Sequence, residues 1–301
     1  MERNDVIIAQ VLGAPIDPNL KAPVALAEVC ELETAQPGEL VRIFNSTAED
    51  VNEDDIYSID ANGELTLHKV SPVAPATLAF SGLQSKLEYV LIDEILPAAD
   101  QDALGRKKAA IARAMDKKEV KMVLDGCLAL VGQEVTMVSG EDLYDLIVKM
   151  VHFIEDYADN YVLVAGSLVK EKIDTYDKEN ADNFHYRVGL KEYLVSAGIK
   201  VIKATGKLNG AAILATDKLI LVGRDSQLAA GKPITFVRRL MSPEIAKMMN
   251  SESTERAISV AQAPTVISAG GKNTLGYGTF GYESVIATIT NKRAIAWATL
   301  A

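Results

Sequence analysis

The sequence predicts an α+β protein. Three observations carry that class: an Asn-Gly turn between two alternating runs, a long alanine-rich helical stretch, and a mixed set of strands and helices that gives way to β-branched sequence. With 301 residues, 49% hydrophobic and 24% charged, the chain can bury a sizeable core and is not disordered throughout.

What the composition excludes comes next. The longest stretch without a charge, Val70 to Ser85, has 16 residues and is broken by Pro72 and Pro75. It is too short and too kinked to span a bilayer. The start, Met1-Glu2-Arg3-Asn4-Asp5, has no basic run leading into an apolar block, and Cys30 and Cys127 lie far apart. These features predict a soluble protein kept in a reducing cytoplasm. A net charge of -10 argues against a dedicated nucleic-acid binder but leaves room for a local basic face. His68, His152 and His185 sit in unrelated contexts, and H-E-x-x-H, G-x-S-x-G, P-loop and CxxC patterns are missing. The sequence therefore supplies no catalytic residue, no metal ligand set and no cofactor site, and predicts a protein that is not an enzyme.

Along the chain, residues 1–45 hold short apolar runs punctuated by Pro15, Pro18, Pro23 and Pro37. They read as an extended arm, or else as an irregular segment packed on its own domain. Ile56–Asp60 and Glu64–His68 flank Ala61-Asn62-Gly63, where Asn-Gly supplies the positive-φ positions of a tight hairpin turn. Seven acids (Glu49, Asp50, Glu53, Asp54, Asp55, Asp60, Glu64) and no lysine or arginine lie between Arg42 and Lys69. Because a two-stranded hairpin is marginal alone, this one must rest on the rest of the chain or on a neighbour. Its acids form either a solvated face or half of a charge-matched subunit contact.

From Pro97 to about Val131 the pattern is helical. Leu104, Ile111, Met115 and Met122 fall within roughly 20° of one line at about 100° per residue. Between Arg106 and Lys121 stand seven bases against Asp116 and Glu119. Arg106, Arg113 and Lys117 share the side opposite the apolar line. A helix at Leu143–Tyr157 and a strand at Tyr161–Ala165 follow. A polar stretch, Asp174 to Arg187, leads to a helix near Leu190–Ala197 ended by Gly198. Ile199–Lys203, Ala211–Thr216, Leu219–Val222 and Ile234–Arg238 read as strands, with a short helix near Pro243–Met249. Ser284–Thr290 and Ala294–Leu300, separated by Asn291-Lys292-Arg293, predict a second hairpin. Gly276-Tyr277-Gly278-Thr279-Phe280-Gly281 matches G-x-G-x-x-G, but the residues after it favour a strand, and too little chain remains for a second βαβ half. It is expected to be a turn-rich connection.

This order of elements, together with Phe80-Ser81-Gly82-Leu83-Gln84-Ser85-Lys86-Leu87-Glu88-Tyr89, Phe280-Gly281-Tyr282-Glu283 and Thr290-Asn291-Lys292-Arg293-Ala294-Ile295-Ala296, resembles the major capsid protein of tailed bacteriophages, the Hong Kong 97-type fold. The resemblance covers nearly the whole chain by element order and carries no invariant motif. It implies an N-terminal arm (1–45), an extended hairpin loop over an adjacent subunit (46–85), a peripheral domain on a long spine helix (86–135 with 234–301) and an inserted α/β axial domain (136–233). It implies hexamers and pentamers of the chain forming an icosahedral shell around double-stranded DNA, in a virion assembled in the host cytoplasm. Asp50, Glu53, Asp54, Asp55, Asn62 and Gly63 would make subunit contacts, and Arg106, Arg113 and Lys117 would face DNA through charge alone. Those bases could equally keep the helix soluble or pair with a neighbour's acidic loop. A portal and a separate scaffolding protein are implied partners, the latter because no large N-terminal scaffolding extension is present unless the chain is already mature. Lys69 and Asn291 are the residue types of the cross-link that some members form, with nothing else to single them out. Two alternatives stand: an encapsulin-type nanocompartment shell, against which the proline-broken start speaks, and a nucleotide-binding enzyme using Gly276–Gly281.

Overall fold

A long helix lies between two sheets, and each sheet accounts for one stretch of its buried surface. In the computed structural model the described residues are 25–43, 76–86, 88–91, 103–180, 188–225, 231–248, 253–260, 265–269 and 272–300. The chain enters through α1 (Leu26–Val29), β1 (Glu31–Ala35) and β2 (Arg42–Ile43), then continues with β3 (Ala76–Thr77), β4 (Ser81–Gln84) and β5 (Glu88–Leu91). The long helix is α2 (Ala103–Leu128). After it come α3 (Leu143–Ile154), β6 (Asn160–Ala165), α4 (Ser167–Glu179), α5 (Leu190–Ser196), β7 (Ile199–Lys203), β8 (Lys207–Leu208), β9 (Ala211–Ala212) and β10 (Lys218–Arg224). The last part holds β11 (Ile234–Arg239), α6 (Pro243–Met248), β12 (Arg256–Val260), β13 (Thr265–Ala269), β14 (Lys272–Ile289) and β15 (Ile295–Thr299).

The four-stranded sheet runs β15-β10-β6-β7, with β6 and β7 parallel and the other pairs antiparallel. β6, β10 and β15 read as largely apolar runs because both their faces are covered, whereas the edge strand β7 carries exposed Lys200 and Lys203. Leu219, Leu221, Leu163, Ala296 and Ala298 pack against α3, α4 and α5. Ile220, Val222, Val164 and Ile295, one residue out of phase, pack against α1, α2 and the larger sheet. Each such Leu or Ile contributes about 1.5–3 kcal/mol of burial. At the start of α3, Asp142 accepts from Asp145 N at 3.0 Å and Asp145 accepts from Asp142 N at 3.1 Å, a reciprocal cap. Gly198, at φ +67, ends α5 as its position predicts.

The seven-stranded sheet is organised by β14, whose 18 residues pair in succession with β13, β12 and β11 and also with β5 and β4. β1 adds in parallel to β11. Val285 and Phe236 face α2, whereas Ile286, Val237 and Ala35 face the other way, under Val41, Leu78 and Phe80. β2 pairs antiparallel with β3, so the chain leaves at Ile43 and returns at Ala76 at one place.

Four expectations change. Gly276–Gly281 is not a turn-rich connection but the middle of β14. Ser284–Thr290 and Ala294–Leu300 do not form a hairpin: a 3-10 turn at Lys292–Ala294 carries the chain out of one sheet into the other, where β15 pairs with β10. The polar stretch beginning at Asp174 is helical to Glu179, because Val169, Ile173 and Tyr176 share a buried face beneath the charged one. The strand expected at Ala211–Thr216 is two residues long and pairs with β8 through an Asn209-Gly210 turn with φ +51 and +83. Within the segment expected to be an arm or a packed irregular stretch, residues 25–35 lie against the rest of the chain, Val29 and Cys30 being 1% and 0% exposed. The hairpin expected at 56–68 lies outside the described residues.

Candidate functional site

The seating of α2 on β14 depends on a missing side chain. A Cβ on Gly281 would lie 2.6 Å from Ile111 Cγ2 and 2.7 Å from Met115 Sδ. Glycine in this strand therefore serves close approach of helix to sheet. Ile111, Met115 and Glu119 succeed one another along that contact, and Glu119 is 1% exposed.

A carboxylate so placed must be paired. Arg238 of β11 grips it twice, Nε donating to Oε1 at 2.9 Å and Nη2 to Oε2 at 2.8 Å. Arg256 of β12 places Nη2 3.1 Å from the same Oε1 and donates from Nη1 to Asp116 Oδ1 at 2.6 Å and from Nε to Glu283 Oε2 at 2.5 Å. Arg256 and Glu283 are direct cross-strand partners of β12 and β14. Glu255, at the surface, comes within 3.6 Å of Arg238. Two guanidiniums thus meet four carboxylates. The Glu283 side chain is fully buried, and its Oε1 has no hydrogen-bond partner among the described residues. Burial pushes the Glu283 carboxyl up to about 7, the charge of Glu119 adds to the shift, and Arg256 and Arg238 oppose it. Burial works against the Arg256 charge, but its bonds to Asp116 and Glu283 outweigh that and hold it above its ordinary value. The cluster ties α2 to three strands, β11, β12 and β14. A cleft of about 460 Å³ opens onto it past Lys108, Ser253 and Ile258.

The sequence signal for this cluster was an acid, Glu119, falling in line with Ile111 and Met115. Arg238, Arg256 and Glu283 carried no comparable signal, because their meeting depends on strand register.

Of the expected contact residues, Asp50, Glu53, Asp54, Asp55, Asn62 and Gly63 lie outside the described residues, as does Lys69. Arg106 sits in the first turn of α2, and Arg113 and Lys117 are half-buried. One basic side opposite one apolar line does not hold along the whole helix. Leu124 shares the line of Arg106, about five turns on, yet it is 1% exposed, with Val120 and Cys127 buried beside it. The buried stripe winds around α2 because the helix passes from β14 to β10 and β15. Lys107, Lys108 and Lys118 are exposed. Lys107 and Lys118, with Lys86, border a groove of about 650 Å³ floored by Ile111 and Met115. Asn291 is exposed and caps the 3-10 turn, accepting from Arg293 N at 3.1 Å.

A dinucleotide loop must open a helix, and Gly276–Gly281 instead sits inside a strand, so that reading fails. Burial pushes the Cys30 and Cys127 thiols up to about 12, which marks them as inert core residues. Among the described residues no group of three His, Cys, Asp or Glu side chains could hold a metal ion, and no helix is long and apolar enough to cross a membrane.

No protein-family model and no curated protein sequence matches the chain. Solved structures do. The capsid of a native GTA particle is 13% identical, with a TM-score of 0.59 over 95% of this chain and 100% of that one. The capsid of cyanophage P-SCSP1u is 10% identical, with a TM-score of 0.57 over 96% and 91%. The holo-SrpI encapsulin complex of Synechococcus elongatus is 12% identical, with a TM-score of 0.55 over 97% and 94%. The chain has the α+β, Hong Kong 97-type capsid fold that its order of elements resembles.

Proposed function

We propose that the chain is the major capsid protein of a tailed bacteriophage, assembling into hexamers and pentamers that form an icosahedral shell around packaged double-stranded DNA. One observation carries the reading: a near full-length likeness to capsid subunits from a cyanophage and a GTA particle. On this reading the protein is structural and not an enzyme, and its place is the virion after assembly in the host cytoplasm. Its partners are other copies of itself, a portal, a separate scaffolding protein and DNA held by charge. Residues 1–45 act as arm, 46–85 as the loop over a neighbour, 86–135 with 234–301 as peripheral domain and 136–233 as axial domain, with β15 lent from the peripheral segment to the axial sheet.

A second reading, an encapsulin-type shell enclosing protein cargo, is favoured by the comparable likeness to the Synechococcus complex. Electron microscopy of the purified, concentrated chain is expected to reveal closed shells; a monomer at every concentration overturns both readings. Double-stranded DNA inside particles recovered from the producing cell is the expected content, and protein cargo without nucleic acid overturns the capsid reading in favour of the nanocompartment.

A further inference from the structure

Among the described residues, the charged cluster beneath α2 has more acid than base and one carboxyl oxygen, Glu283 Oε1, with no hydrogen-bond partner. Around Glu283 stand Asp116 and Glu119 from α2, Arg256 from β12 and Arg238 from β11, with Glu255 just before β12 and Lys108 at the mouth of the cleft. β4 brings only the uncharged Leu83 opposite it. Both guanidiniums are committed to more than one carboxylate, so neither neutralises Glu283 alone.

We propose that the joint between α2 and the seven-stranded sheet is a proton-linked clamp, in which Glu283 holds a proton while the helix is fully seated and its ionisation loosens the helix from β14. The geometry gives the reason. Gly281, two residues away, brings α2 so close that Glu119 and Glu283, both buried, share Arg256 at the inner end of the cleft. A proton on Glu283 removes one of the two buried negative charges that Arg256 must serve. An ionised Glu283 leaves two buried carboxylates side by side.

The direction of the effect follows from linkage. The folded carboxyl titrates near 7 and the unfolded one near the usual value of about 4.3, so the folded chain binds more protons between those values. Its extra stability is present in acid and is lost as pH rises through about 7. The test is denaturant unfolding of the full chain and of Glu283→Gln from pH 5 to pH 8, with hydrogen exchange of the α2 amides, corrected for intrinsic rates, as the local readout. The folded-to-unfolded ratio of the unmodified chain, relative to that of Glu283→Gln, is expected to fall roughly 10- to 100-fold across the window, at one decade per unit of pKa difference. Exchange near Met115 is expected to quicken in the unmodified chain alone. Histidines are common to both proteins and cancel. If Glu283→Gln does not fold, Glu119→Gln decides: removing its charge should move the loss to lower pH. The same pH slope in Glu283→Gln as in the unmodified chain, or an unmoved midpoint in Glu119→Gln, overturns the proposal.

Discussion

Gly281 illustrates how one absent side chain sets the position of a whole helix. Any Cβ there meets Ile111 and Met115 well inside contact distance, and a helix packed on a sheet can retreat only by opening the interface on both sides of the contact. Overpacking of a filled core typically costs about 1–3 kcal/mol. Gly281→Ala is therefore expected to lower stability by about that amount in urea unfolding, with the m-value unchanged. The same substitution at Gly132, where nothing lies within 4 Å of the added carbon, tests a different effect, since φ is +78 there and the cost is backbone strain. An unaltered midpoint for Gly281→Ala would mean that α2 is not seated against β14 as described. The last glycine of the segment that imitates a dinucleotide fingerprint thus serves helix packing, and a loss of stability with no nucleotide effect is its expected signature.

At the level of α2, the same residues meet different surroundings along its length. Its first half lies over β14 with lysines toward solvent, and its second half is enclosed by the four-stranded sheet and α1. A periodic reading finds Ile111 and Met115 because they lie on one line, and misses Val120, Val123, Leu124 and Cys127 because the line itself turns. α4 was hidden for a related reason: three buried residues spaced four and three apart are outnumbered by lysines and acids on its open side. β14 was hidden because glycine suggests a turn, and the need for glycine at Gly281 comes from a helix some 170 residues earlier. Elements whose signal is local, such as α3, β6, β10 and the Gly198 cap, stand where periodicity put them. Changing Arg106, Arg113 and Lys117 to glutamine is expected to leave empty shells intact and to make DNA-filled particles fewer, because phosphate contacts add affinity without sequence preference. Filled particles at normal yield would show that these bases do not meet DNA, and loss of empty shells would assign them to subunit contacts.

For the molecule as a whole, the decisive arrangement is the pair β2 and β3. It brings Ile43 and Ala76 together on the side of the large sheet away from α2, where Val41 and Leu78 pack against Val237 and Ile286. The intervening chain carries the seven acids and the Asn62-Gly63 pair, and shortening it is expected to leave both ends of the ladder in place, since closing a shorter loop changes the entropy only slowly with length. Among the described residues, the buried clusters on both faces of the four-stranded sheet and beneath α2 come from other parts of the chain. Deleting Glu53 to His68 is thus expected to leave a folded, soluble subunit with near-normal circular dichroism and a cooperative unfolding transition. If that loop reaches across a neighbour, the deleted subunit loses the contact at every interface of the shell at once. Even a contact of about 1.4 kcal/mol shifts each association step tenfold. The expected result by electron microscopy is dispersed subunits or small oligomers under conditions where the complete chain closes into particles. Shells of normal size from the deleted chain would remove the loop from assembly and leave its acids as a solvated face.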